Sequence, residues 1–160
     1  MKKILIFILI SLLVNKIYAQ TITSSGTYTV TLATTNIREA GNNYPSGNLV
    51  SNTNQTLLTV NSPANSIVSV FVQKSDTSWD SRLTISALRT GTGTGSGGFS
   101  TTGGTALLPI TNVPQYFFEV RPGSGTRVSN IPIQYYTTGF TVLLPVKAYT
   151  TTLLYTVTNQ

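Results

Sequence analysis

The chain is predicted to fold as an all-β antiparallel sandwich of about eight strands behind a cleaved signal peptide, and three observations carry that expectation. Short apolar runs alternate with Thr and Ser at the period of two that a half-buried strand requires. Turn residues punctuate those runs at regular spacing, which is the grammar of a sandwich rather than of βαβ units. The composition suits strands: the 160 residues are rich in Thr and include 8 Tyr, while only 9% are charged, far below the usual quarter or so. A domain of this length buries roughly two thirds of its extended surface on folding. The core has to suffice, because the chain has no cysteine and therefore no disulfide framework.

Residues 1–19 read as a leader. Lys2 and Lys3 open it, an apolar run follows over 4–14, and Ile17, Tyr18 and Ala19 form a cleavage region ending in a small residue. A retained membrane anchor is the competing reading, weakened by Asn15 and Lys16, which interrupt a run already short for a bilayer. Cleavage after Ala19 leaves residues 20–160 as one exported domain, bound for the periplasm, the cell surface or the medium, with no membrane span. It also removes three lysines, so seven Lys and Arg face four Asp and Glu, a net +3 rather than +6. Those positives (Arg38, Lys74, Arg82, Arg89, Arg121, Arg127 and Lys147) are scattered, which argues against a nucleic-acid partner.

Along the mature chain, residues 20–25 are polar and expected to be loose, and Tyr28, Val30 and Leu32 alternate with Thr as a first strand. Residues 36–54 hold Gly41, Pro45, Gly47 and several Asn, the mark of a long exposed connection. A short strand over 56–60 and a turn over 61–65 lead to 67–72. There Val68, Val70 and Val72 share one face and Ile67 and Phe71 the other, as in a strand covered on both sides. Residues 74–81 read as a polar turn, and Leu83, Ile85 and Ala87 return as an inward row, so the two runs are expected to pair as a hairpin. The Gly, Thr and Ser of 91–104 surround one Phe99 and are expected to form a mobile loop. Strands follow over 107–110 and 115–121, then a turn over 122–125 and an alternating run through Ile131, Ile133 and Tyr135. The end is expected to be a closing hairpin over 139–158. Phe140, Val142 and Leu144 would face Tyr149, Leu153, Tyr155 and Val157 across a turn at Pro145, with Leu154 alone breaking the Thr face.

The chemistry excludes more than it offers. With no His and no Cys, neither a Ser-His-Asp triad, a thiolate nucleophile nor a His-based zinc site can be built. Glu39, Asp76, Asp80 and Glu119 are the carboxylates left for glycosidase chemistry, and Asp76 and Asp80 stand beside Lys74 and Arg82 as ordinary balanced surface charge. Gly93, Gly95 and Gly98 fit a G-x-G-x-x-G spacing, but Phe99 and more Ser, Thr and Gly follow where a dinucleotide site needs a helix. No catalytic residue, cofactor or metal site is expected. Trp79 is read two ways, as a plug folded into the sandwich or as a stacking platform for a sugar ring with Tyr116, Tyr135 and Tyr136.

The run Ile131-Pro132-Ile133-Gln134-Tyr135, then Thr138-Gly139-Phe140, Leu144-Pro145 and Ala148 through Thr158, resembles the C-terminal third of small exported bacterial pilin-like proteins, the spore coat protein U and fimbrial subunit type. Lys147 and Ala148 stand where that family has Gly before Tyr. The resemblance implies an exported immunoglobulin-like subunit with no catalytic residue. The expected function is therefore a non-enzymatic structural or adhesive surface protein, with a carbohydrate-binding module as the alternative. The expected partner is the chain itself or a related subunit, joined by strand addition at the edge carrying Tyr149, Leu153, Tyr155 and Val157. The donor would be the arm over 20–32, unless that arm pairs within its own sandwich.

Overall fold

The computed structural model describes residues 19–31 and 49–160. Residues 1–18 of the expected leader, Leu32 and most of the connection expected over 36–54 lie outside the described residues. Eleven strands run through the rest: β1 Thr21–Ser25, β2 Leu49–Val50, β3 Thr56–Asn61, β4 Val68–Ser78, β5 Thr84–Arg89, β6 Thr94–Gly95, β7 Ser100–Gly103, β8 Leu108–Pro109, β9 Gln115–Arg121, β10 Arg127–Thr138 and β11 Thr150–Asn159. No helix occurs among the described residues, so none is long and apolar enough to cross a membrane.

The strands form two antiparallel sheets, as the alternation predicts. The 7-stranded sheet runs β1-β3-β10-β5-β8, with β2 and β6 also paired to β10. The 4-stranded sheet runs β11-β4-β9-β7. β10 is the spine of the larger sheet: β3 and β6 flank its first half, β5 and β2 its second. Its register shifts between Val128 and Ile131, where Asn130 takes φ 55°, so both apolar residues stay inward across the bulge. Pro132 is tolerated because its ring sits beyond the end of the β5 ladder, where its carbonyl accepts from Thr90 N at 3.0 Å.

The inward rows of the two sheets meet in one core. Leu58, Val60, Ile131 and Ile133 come from the larger sheet, Val68, Val70, Val72 and Phe118 from the smaller, all fully buried. Alternation places them there: β3 and β10 bury every second residue along most of their length, and β4 does so until Gln73.

Four expectations about connections are corrected. β4 continues through Lys74 to Ser78, so the polar stretch is the exposed end of a strand and not a turn. β4 and β5 lie in different sheets and do not pair. Residues 91–104 hold β6 and β7, and Phe99 packs on the core. The closing hairpin is absent: residues 139–149 contain no strand, and β10 and β11 belong to opposite sheets. Gly139 turns the chain away. Its φ is +89°, and a Cβ there would lie 1.9 Å from Arg82 O, so only glycine fits where the chain crosses between sheets.

The N-terminal arm is likewise rearranged. Residues 21–25 are β1, in ladder with β3 from Thr21↔Asn61 to Ser25↔Leu57, while Tyr28 and Val30 belong to no strand. The arm therefore pairs within its own sandwich and is not held free as a donor.

Candidate functional site

β11 lies at one margin of the smaller sheet. It pairs with β4 over ten residues, from Thr150↔Ser78 to Asn159↔Val68, and with nothing else among the described residues. A strand with one partner directs about half of its N–H and C=O groups outward, unpaired. Leu153, Tyr155 and Val157 face the core, while Thr150, Thr152, Leu154, Thr156 and Thr158 are exposed. No charged residue and no proline occurs from Ala148 to Gln160.

A hydroxyl chain ties this strand to the larger sheet. Tyr135 donates to Thr56 Oγ1 at 2.8 Å, and its oxygen lies 2.9 Å from that of Tyr155. Burial holds both phenols above their ordinary pKa, and for Tyr155 the neighbouring Tyr135 adds to the rise. Both therefore stay as O–H groups that hold the sheets together and supply no base. Tyr28 stacks on Tyr135 with ring centroids 5.8 Å apart, and its hydroxyl donates to Leu49 O at 2.9 Å.

Beside β11 the two sheets part around a cleft of about 980 Å³, whose walls include Trp79, Tyr135, Phe140, Leu144, Leu153 and Tyr155. Residues 140–142 and 144–149 line part of it. Asp80 grips Arg82 through both carboxylate oxygens, at 2.8 Å to Nε and 2.8 Å to Nη2, which holds the exposed carboxyl well below its usual range. The same guanidinium donates to Leu143 O at 3.0 Å. Where β11 begins, Asp76 accepts from Thr151 Oγ1 at 2.8 Å, from Asn112 at 3.2 Å and from Lys74. Desolvation would raise the Asp76 pKa, but those three donors and the nearby ammonium outweigh it and the net shift is downward.

The opposite margin of the same sheet is sealed. β7 pairs with β9 on one side, and on the other Arg89 reaches over from β5. Its Nε donates to Gly103 O at 2.9 Å, Nη2 to the same oxygen at 2.7 Å, and Nη1 to Gly91 O at 2.6 Å and Thr101 Oγ1 at 3.2 Å. Its own backbone N–H donates to Gly104 O at 2.6 Å. Arg89 is only 5% exposed, and burial lowers its pKa, yet an arginine so far above neutrality remains charged.

The expected stacking residues do not converge. Trp79 and Tyr135 both reach the cleft, but Trp79 is latched by its Nε1 donating to Leu83 O at 2.9 Å, and Tyr135 is buried. Tyr116 stands on β9, edge-on to Phe71, and is 49% exposed. Tyr136 is on the outer face of β10, bonded to Gln134. Of the expected edge residues, Leu153, Tyr155 and Val157 lie on β11, and Tyr149 precedes it, its hydroxyl donating to Pro145 O at 2.6 Å. Sequence reasoning missed Arg89, whose only signal is a charge in register with no apolar reason to be inward. It also missed the partnership of Tyr28 with Tyr135, which a strand reading of residues 28–32 obscured.

No family model, curated protein or solved structure matches the chain. Among the described residues, no three His, Cys, Asp or Glu stand close enough to hold a metal ion.

Proposed function

We propose that the protein is an exported, non-enzymatic structural or adhesive sandwich, of the pilin-like kind its C-terminal sequence resembles, which joins a neighbouring chain through the β11 edge. The observation that carries this reading is that β11, ten residues long and itself bare of charge and proline, is in ladder with β4 alone among the described residues. Natural sheets guard such margins with lysine, proline, bulges or a covering segment; the β11 ladder has a register shift only at its first residue, between Thr150 and Thr151, and the rest of the strand is a template for strand addition. The test is association of the purified exported protein by sedimentation. Concentration-dependent association that Thr152→Lys with Thr156→Lys abolishes supports the reading. A monomer at every concentration, or turnover of a glycoside, ester or peptide that one carboxylate substitution removes, overturns it.

A second reading, a carbohydrate-binding module, is favoured by the cleft that Trp79 and Tyr135 share. Aromatic walls with hydroxyl groups suit a sugar ring. Glycan binding that Trp79→Ala weakens at least tenfold supports it, and an array without a binder removes it.

A further inference from the structure

We infer that the occupant of the β11 edge is β11 of a second copy, paired antiparallel about a two-fold axis at Leu154; this rests on the reading of that edge as an association site. A two-fold axis perpendicular to the sheet sets each strand against itself, so the surface has to complement itself. β11 does so. With the axis at Leu154, Thr152 faces the second copy's Thr156 and Thr150 its Thr158, each pair on the exposed face. On the inner face Leu153 meets Tyr155 and Thr151 meets Val157. Thr–Thr and aromatic–aliphatic pairs are among the favourable cross-strand combinations, and no like charges oppose each other anywhere along the strand.

The other described margins offer no comparable partner. β7 is sealed by Arg89, β1 has only 5 residues and β8 only 2. The arm expected as a donor is already in ladder with β3. The choice of axis follows from Leu154, the one large apolar side chain on the exposed face of β11, 41% open to solvent. An axis at Leu154 sets the two leucines against each other, whereas an axis one residue on, at Tyr155, sets Leu154 against Thr156. The pairing also closes on itself. The two smaller sheets merge into one continuous sheet whose outer margins are both β7 with its arginine clasp, so assembly stops at a dimer and not a fibre.

The chain has no cysteine, so single thiols report the register without background. Leu154→Cys, Thr152→Cys and Thr156→Cys, each exposed in the monomer, are purified as full exported proteins and treated with a short bismaleimide. Cross-linked dimer in high yield for Leu154→Cys, with Thr152→Cys and Thr156→Cys equally low at several-fold less, is the expected result. Equal yields for Leu154→Cys and Thr156→Cys place the axis at Tyr155 and overturn the register. Association by sedimentation without any such dependence on position means another partner strand; it overturns the inference and leaves the edge reading standing. A monomer with no cross-linking overturns both.

Discussion

The two margins of the smaller sheet solve the same problem in opposite ways. At β7 the outward carbonyls of Thr101 and Gly103 are taken up by one buried guanidinium, whereas among the described residues the ten of β11 have no ladder partner beyond β4, with β1 of the facing sheet lying near them. β7 is only four residues long, and it holds its place because Arg89 supplies fixed donors from the facing sheet. β11 is long, packs Leu153, Tyr155 and Val157 on the core, and needs no clasp to stay in place. Stability therefore depends on the sealed margin's single cation and on the open margin's buried row, which leaves the exposed face of β11 free to serve another purpose.

The largest expected effect comes from breaking the seal. Arg89→Met fills similar space but leaves Gly91, Thr101 and Gly103 carbonyls without their donor, and we expect a loss of about 3 kcal/mol, since bonds to a charged donor and orphaned buried acceptors both count. Urea denaturation reads it. Arg89→Lys should recover only part of the loss, because one ammonium cannot span the fork; full recovery would show that charge alone holds β7. A smaller effect is expected at the crossing that delivers the chain to β11. Gly139→Ala places a methyl against Arg82 O in a backbone region foreign to alanine, at a cost of about 2 kcal/mol. An unchanged midpoint would mean that the crossing relaxes freely.

Acid should act on the open margin and spare the sealed one. The folded Asp76 carboxyl lies below its unfolded value of 3.8, so its contribution is present above that value and is lost as pH falls through the depressed folded pKa. The group is partly solvated, so the contribution is under about 1 kcal/mol. Denaturation midpoints of the protein and of Asp76→Asn should differ at neutral pH and converge as pH falls below the ordinary carboxylate range and through the depressed folded pKa. A gap that persists in acid would assign the effect to side-chain shape.

Period-two alternation was enough to read the sandwich and the inward rows of β4, β5, β10 and β11, because burial of one face writes itself into every second residue. It could not say which strands pair. Phe140, Val142 and Leu144 alternate as a strand would, yet they line the cleft or face solvent in a segment that joins two sheets. β1 was illegible for the converse reason: an edge strand with only Ile22 half buried has no period to show. The glycine-rich stretch hides its strands because the residue that orders it, Arg89, lies outside it. The open edge was legible as a chargeless strand, whereas the cleft depends on Gly139 sending the chain across.

The smallest expected effect on stability separates the margins most cleanly. Thr102 on β7 and Thr152 on β11 are both exposed strand threonines, and lysine at either touches nothing buried. Each substitution should leave the denaturation midpoint within about 0.5 kcal/mol of the parent. At β7, Thr102→Lys faces Glu119 across the ladder and adds a compatible charge to a margin that already has its donor. At β11, Thr152→Lys puts a charge on a strand that has none, and in a paired edge each copy contributes one, so desolvation opposes association twice. Sedimentation should therefore show Thr102→Lys associating as the parent does and Thr152→Lys shifted at least tenfold toward monomer. Equal behaviour of the two would mean that the open margin is no more an interface than the sealed one, whatever its length and composition suggest.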